Sequence, residues 1–196
     1  GGIRGFFFGR VAQQVVRRGT RPVLMVQVDT GDDPDQPFAC HVIALALSGT
    51  AEAEAAVSPA VRLARALDAS LHLIAAIPTA TTLPAERAAV ATLLPGTTRE
   101  LLAVEAEAMR EYLRRVADEL MLEGMSASHA VVRGESARAI VAEAERVGAG
   151  VLAFATHGQS GLRGIWAGSV GAKILAQFHR PLLLVPVAGD ASARHE

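Results

Sequence analysis

With 196 residues and a net charge of −1, the chain is long enough for one full domain plus part of another, and its near-neutral balance gives no electrostatic footprint for nucleic acid or an anionic membrane. A single cysteine, Cys40, excludes an internal disulfide framework and a cysteine-based zinc cluster, and fits a reducing cytoplasm. No apolar run, Phe6-Phe7-Phe8 included, approaches the roughly 18 residues of a membrane span, and no signal peptide is visible.

In chain order, residues 9–19 read as a helix and 22–28 as an apolar, β-branched strand. Thr30-Gly-Asp-Asp-Pro-Asp-Gln-Pro37 is a turn-rich acidic linker, and a domain boundary is expected there. Val42–Leu47 is a continuous apolar run, as a strand buried on both faces requires. A helix follows from Ala51 to Leu67, with Val57, Val61, Ala64 and Leu67 on one face. Leu71–Ile77 is the next strand, stopped by Pro78; the Thr- and Pro-rich residues 79–97 read as a loop. Thr98 is positioned to cap a long helix to about Glu123, whose stripe is Leu102, Met109, Leu113, Val116 and Leu120. Its acidic residues alternate with Arg110, Arg114 and Arg115, the pattern of a solvated face with local ion pairs. Ser126–Val132 is a third strand. Gly134-Glu-Ser136 turns into a helix through Val147, Val151–Ala155 is a fourth strand, and a glycine-rich loop with one more helix leads to strand Leu182–Val187.

That final segment has a counterpart at the start. Gly161, Gly164, Gly168 and Arg180-Pro181 recur at the same offsets as Gly2, Gly5, Gly9 and Arg21-Pro22, which indicates one unit built twice. The first copy lacks everything that precedes the loop in the second. The expected organisation is therefore a remnant of a preceding unit in 1–29, a linker in 30–39, a complete domain in 40–188 and a polar tail in 189–196.

Strand–helix alternation at this spacing predicts an α/β fold: an open, doubly wound, five-stranded parallel sheet with helices on both faces. Ligands of such sheets bind at the carboxyl ends of the strands, where strand order reverses. Loops 48–50, 76–78 and 155–169 meet that condition. Gly168 permits close backbone approach, and Ser169 is a good cap for a helix whose free N–H groups suit a phosphate. Arg163 is within the same loop. The alternative is a glycine-rich helix entry with a serine cap and no ligand. His157 lacks the serine or cysteine partners of a catalytic group, and His41, His72, His129, His179 and His195 form no metal pattern. Neither G-x-x-x-x-G-K-[ST] nor a G-x-G-x-x-G after the first strand is present.

Phe154-Ala-Thr-His-Gly158, Gly168-Ser-Val170 and Arg180-Pro-Leu-Leu-Leu-Val185 resemble the universal stress protein family, as do 52–57 and 131–140. The nucleotide-binding branch of that family carries Gly, two residues, Gly, nine residues, then Gly-Ser or Gly-Thr. Gly158, Gly168 and Ser169 match; Ala155 replaces the first glycine. The resemblance implies an adenine-nucleotide-hydrolase-like fold that binds ATP, ADP or AMP, with Mg²⁺ as an optional companion, as a cytoplasmic stress sensor or switch. Its implied site residues are Ala46, Leu47, Ser48, Ala76, Phe154, Ala155, Thr156, His157, Gly158, Arg163, Gly168, Ser169 and Val170. Ser48 stands where the family presents an aspartate to the ribose, which implies weakened binding. No general base is evident, so turnover is expected to be absent or at most slow ATP hydrolysis. The resemblance also implies pairing of strand 22–28 with strand 182–187, within the chain or in a homodimer. A dimerisation module of the same fold that binds no nucleotide is the competing expectation, favoured by Ser48 and Ala155.

Overall fold

The computed structural model describes residues 20–26, 38–157 and 170–187, without the side chains of Glu86 and His157. The expected helix over 9–19, residues 27–28 of the expected strand 22–28 and residues 158–169 of the glycine-rich loop fall outside them. The described strands are β1 (Val23–Met25), β2 (Val42–Ala46), β3 (Ser70–Ile77), β4 (Ala127–Arg133), β5 (Val151–His157) and β6 (Leu182–Val187). The helices are α1 (Ala51–Glu54), α2 (Val57–Leu67), α3 (Ala85–Leu93), α4 (Pro95–Leu122), α5 (Ser136–Arg146) and α6 (Val170–Gln177).

The strands form one sheet in the order β1-β6-β5-β2-β3-β4. The five strands β2 to β6 run parallel. Strand β1 adds to the β6 edge in antiparallel sense, with Val23 opposite Leu184 and Met25 opposite Leu182. The expected pairing of these two segments is thus made within the chain.

Because side chains alternate across a strand, the apolar runs feed two cores. On one face Ile43, Leu45, Leu71 and Leu73 pack with Ala60, Val61 and Ala64 of α2 and Leu113, Val116, Ala117 and Leu120 of α4. On the other, Ala44, Ile74, Leu152, Phe154, Leu182 and Leu184 pack with Ile140, Val141 and Ala144 of α5, Ile174 and Leu175 of α6, and Phe178. Burial on both faces is why β2 and β6 carry no polar alternation.

Three local expectations are corrected. Residues 79–97 are a loop only as far as Pro84: from Ala85 they hold α3 and the start of α4. Their prolines mark helix starts rather than breaks, since Pro84 is the N-cap of α3 and Pro95 opens α4, positions where a missing N–H costs nothing. Thr98 is not a cap. It lies inside the first turns of α4, buried, with its N–H donating to Leu94 O at 3.0 Å. The helix expected over 51–67 is two helices, because Pro59 cannot donate to the carbonyl of Ala55 and its ring crowds that oxygen; Ala56 N–H bonds Ala53 O instead, at 3.1 Å.

The β2–β5 pairing has a narrow point at its base. Gly150 N–H donates to Val42 O at 2.9 Å, and a Cβ on Gly150 would lie 2.9 Å from Cys40 Sγ and 3.1 Å from Cys40 Cα. Gly150→Ala must push β5 away from backbone, not from a flexible side-chain tip. The expected cost is about 1–3 kcal/mol, read as a lowered urea midpoint with an unchanged m-value.

Candidate functional site

Chain order reverses beside β2: β3 and β4 are laid down on one side of it, β5 and β6 on the other. The helices leaving neighbouring carboxyl ends diverge to opposite faces there, which opens a crevice. A cavity of about 890 Å³ occupies it, within the range of small-molecule sites.

Of the residues expected from the sequence, Ala46, Leu47, Ser48, Ala76, Phe154, Ala155, Thr156 and Val170 all line this cavity. They arrive from the ends of β2, β3 and β5 and from the first residue of α6. Leu47 is fixed by its N–H bond to Ile74 O at 2.8 Å. Gly49 takes φ +76°, which lets the chain turn from β2 into α1. Thr50 Oγ1 then accepts from Ala53 N at 3.3 Å to cap α1, and the Ser48 hydroxyl lies 3.2 Å from that same oxygen. The backbone of His157 pairs with Val187 at the end of β5. Its side chain, with Gly158, Arg163, Gly168 and Ser169, lies outside the described residues.

Other lining residues were not anticipated. Helix α3 brings Arg87 to the rim, where its guanidinium donates to Glu105 Oε1 of α4 at 2.7 Å. Met109 and Tyr112 of α4 form the same wall, with Glu52 of α1. Met109, expected in the buried stripe, is half-buried there. The Tyr112 hydroxyl is shielded from solvent without a hydrogen bond of good geometry. Burial, and secondarily the nearby Glu54 carboxylate, push its pKa well above the usual phenol value. Arg87 and Glu105 stand 18 residues apart on different helices, so no spacing rule could have linked them.

Two helix N-termini border the cavity, with Ser136 beginning α5 and Val170 beginning α6. Both present the partial positive charge of a helix start. They are tied together by Glu135, whose carboxylate accepts from Arg138 N at 3.0 Å as the α5 cap and from Lys173 Nζ of α6 at 2.9 Å. The Lys173 bond, foremost, holds the Glu135 carboxyl below its ordinary pKa. The floor between these ends is apolar, built of Ala46, Ala76, Phe154 and Ala155. The arrangement can hold a ligand with a flat apolar part over the floor and an anionic part at the α6 end. Among the described residues, no group of His, Cys, Asp and Glu is arranged to hold a metal ion, and no helix is long and apolar enough to cross a membrane.

The same architecture recurs in solved structures. A universal stress protein in complex with cAMP aligns with a TM-score of 0.55 at 22% identity, covering 76% of this chain and 99% of that one. Universal stress protein UspA from Lactobacillus plantarum aligns at 0.59 and 14% identity over 75% of this chain and 98% of its own. A universal stress protein from Archaeoglobus fulgidus aligns at 0.62 and 16% identity, over 92% of this chain but 55% of its own. At these identities the likeness shows the fold alone. A search of curated proteins finds no match. The family-level match is direct: residues 40–186, from just before β2 through most of β6, fit the universal stress protein family. With that span, this strand order and a crevice where the family motif begins, the chain belongs to the universal stress protein family.

Proposed function

We propose that the cavity binds an adenine nucleotide, ATP or its relatives ADP and AMP, and that the chain acts as a cytoplasmic stress-response sensor or switch without turnover beyond slow ATP hydrolysis. The observation that carries this reading is the 890 Å³ cavity at the strand-order reversal, with an apolar floor and the N-terminus of α6 at its edge. Its size and lining fit a nucleotide. Ala76 and Phe154 offer a surface for a base, Ser48 a hydroxyl for a ribose, and the segment Gly158–Ser169 leads directly into α6, where phosphates are favoured. Any Mg²⁺ would ride on the phosphates, as that ion prefers. The cAMP complex of a structural relative supports a nucleotide as the ligand class.

Ser48 lowers the expected affinity, because its hydroxyl is already within hydrogen-bond reach of Thr50 and carries no charge. That observation favours the second reading, a dimerisation and interaction module of the same fold that binds no nucleotide. In either reading, we propose that residues 1–29 belong to a preceding like unit, joined by 30–39 to the domain 40–188 and its tail 189–196. The β1–β6 pairing supports this organisation, as does the alignment of 92% of this chain with a much longer one.

Calorimetric titration of ATP–Mg²⁺ separates the readings. Ser169→Arg copies the Gly9-Arg10 of the first glycine segment and places a bulky side chain at the helix entry. Binding by the parent that is lost in Ser169→Arg is the expected result. A folded parent that gives no heat at millimolar ATP establishes the second reading instead.

A further inference from the structure

At the other end of the sheet from the cavity, three polar side chains form a chain of hydrogen bonds. His72, early in β3, stands in register with Ser128 of β4. Its Nδ1 lies 2.7 Å from Ser128 Oγ, and its Nε2 lies 3.0 Å from Glu143 Oε1 of α5. His72 and Glu143 are both buried, with side chains 7% and 9% exposed, while Ser128 is open to solvent on the edge strand. Arg146 grips both Glu143 oxygens, at 2.7 Å each.

For a neutral imidazole, the partners set where the protons of this network lie. The Arg146 hydrogen bonds, first, and the His72 bond hold the Glu143 carboxyl at about 2 against its burial. Glu143 is therefore ionised at neutral pH and can only accept. The single proton of a neutral imidazole must then sit on Nε2, facing Glu143. In that tautomer Nδ1 is bare and the Ser128 hydroxyl is the donor across the 2.7 Å contact. A solvent-exposed hydroxyl donating to a ring nitrogen, with the ring oriented by a carboxylate, is the arrangement of an activated nucleophile.

We propose that Ser128 is a nucleophile that accepts an acyl group from activated esters, with His72 as its base and Glu143 holding the ring in the required tautomer. Ser128 Oγ attacks the ester carbonyl carbon as its proton passes to His72 Nδ1. The bond from that carbon to the leaving oxygen breaks, and the departing alkoxide or phenolate takes the proton from Nδ1. The products are acyl-Ser128 and an alcohol or phenol, with His72 returned to its starting state. The relay sits outside the nucleotide cavity, so the proposal is independent of whether nucleotide binds.

The test uses p-nitrophenyl acetate on the purified chain, with site-resolved mass spectrometry of the acetylated peptides. The expected result is acetyl-Ser128 in preference to the other serines, lost when the parent chain is unfolded in urea. Glu143→Gln presents an amide that can donate to Nε2, which moves the ring proton to Nδ1 and removes the base. It should slow Ser128 acetylation at least tenfold while the circular dichroism is retained. Ser128→Ala should lose the adduct and the matching burst of p-nitrophenolate. Acetylation confined to Lys173 and the N-terminal amine, or Ser128 acetylated equally fast in the folded chain and in urea, overturns the proposal.

Discussion

Ala76→Phe is expected to weaken ATP binding at least a hundredfold while leaving the fold in place. Ala76 sits near the end of β3, half-buried, with its side chain on the cavity floor beside Ala46 and Phe154. A phenyl ring at that point has an existing void to enter, so the overpacking that normally penalises such a change in a core is largely avoided. The same ring takes the space a base would use. A hundredfold loss corresponds to about 2.8 kcal/mol, which is moderate beside what a fully displaced aromatic base would forfeit. Calorimetry gives the affinity, and a thermal melt within a few degrees of the parent shows that the effect is local. Unchanged affinity in a folded Ala76→Phe would place the nucleotide elsewhere on the chain.

Phe178→Ala is expected to cost about 3–5 kcal/mol of unfolding free energy, the range for truncating a buried aromatic. Phe178 follows α6, is 1% exposed, and donates its N–H to Ile174 O at 2.9 Å. Its ring packs into the core between the sheet and helices α5 and α6. With so little stability to spare in a single domain, a loss of this size is a large fraction of the total. The consequence reaches the site, because the same helix places Val170, Gly171 and Ile174 in the cavity wall. Urea unfolding followed by circular dichroism measures the loss. A cost below about 1 kcal/mol would mean that α6 is not docked through this ring.

Strands β2 and β6 were legible because they are continuous apolar runs, which only a strand covered on both faces tolerates, and β3 and β5 are mostly apolar, with His72 inside β3. Leu182–Val187 is found with the bounds read from the sequence, and β2 ends one residue short of the expected Leu47. The residues 79–97 were misread for a local reason. Proline signals a break in one context and a helix start in another, and the choice between Pro84 and Pro95 as stops or starts depends on what the following turns pack against. Val90 and Leu93 of α3 stay largely exposed, so α3 itself has no strong apolar stripe to announce it.

The candidate site divides along the same line. Ser48 and Ala76 lie in loops that the strand-end rule of a doubly wound sheet picks out, and Phe154 was implied by the family resemblance. Arg87, Glu105 and Tyr112 could not be named, because they are brought in by helices whose placement follows from packing.

By itself, the sequence determined the parallel α/β sheet, the place where its strand ends open a cleft, and the family to which residues 40–186 belong. These rest on local apolar periodicity and short glycine spacings, which act within a few residues along the chain. Tertiary structure alone decided the far wall of the cavity and the Ser128–His72–Glu143 chain, in which Ser128 and Glu143 lie 56 and 71 residues from His72 in sequence. A hydrogen bond is set by a few ångströms of distance and by direction; the β3–β4 pairing brings Ser128 to His72, and the packing of α5 onto those strands brings Glu143.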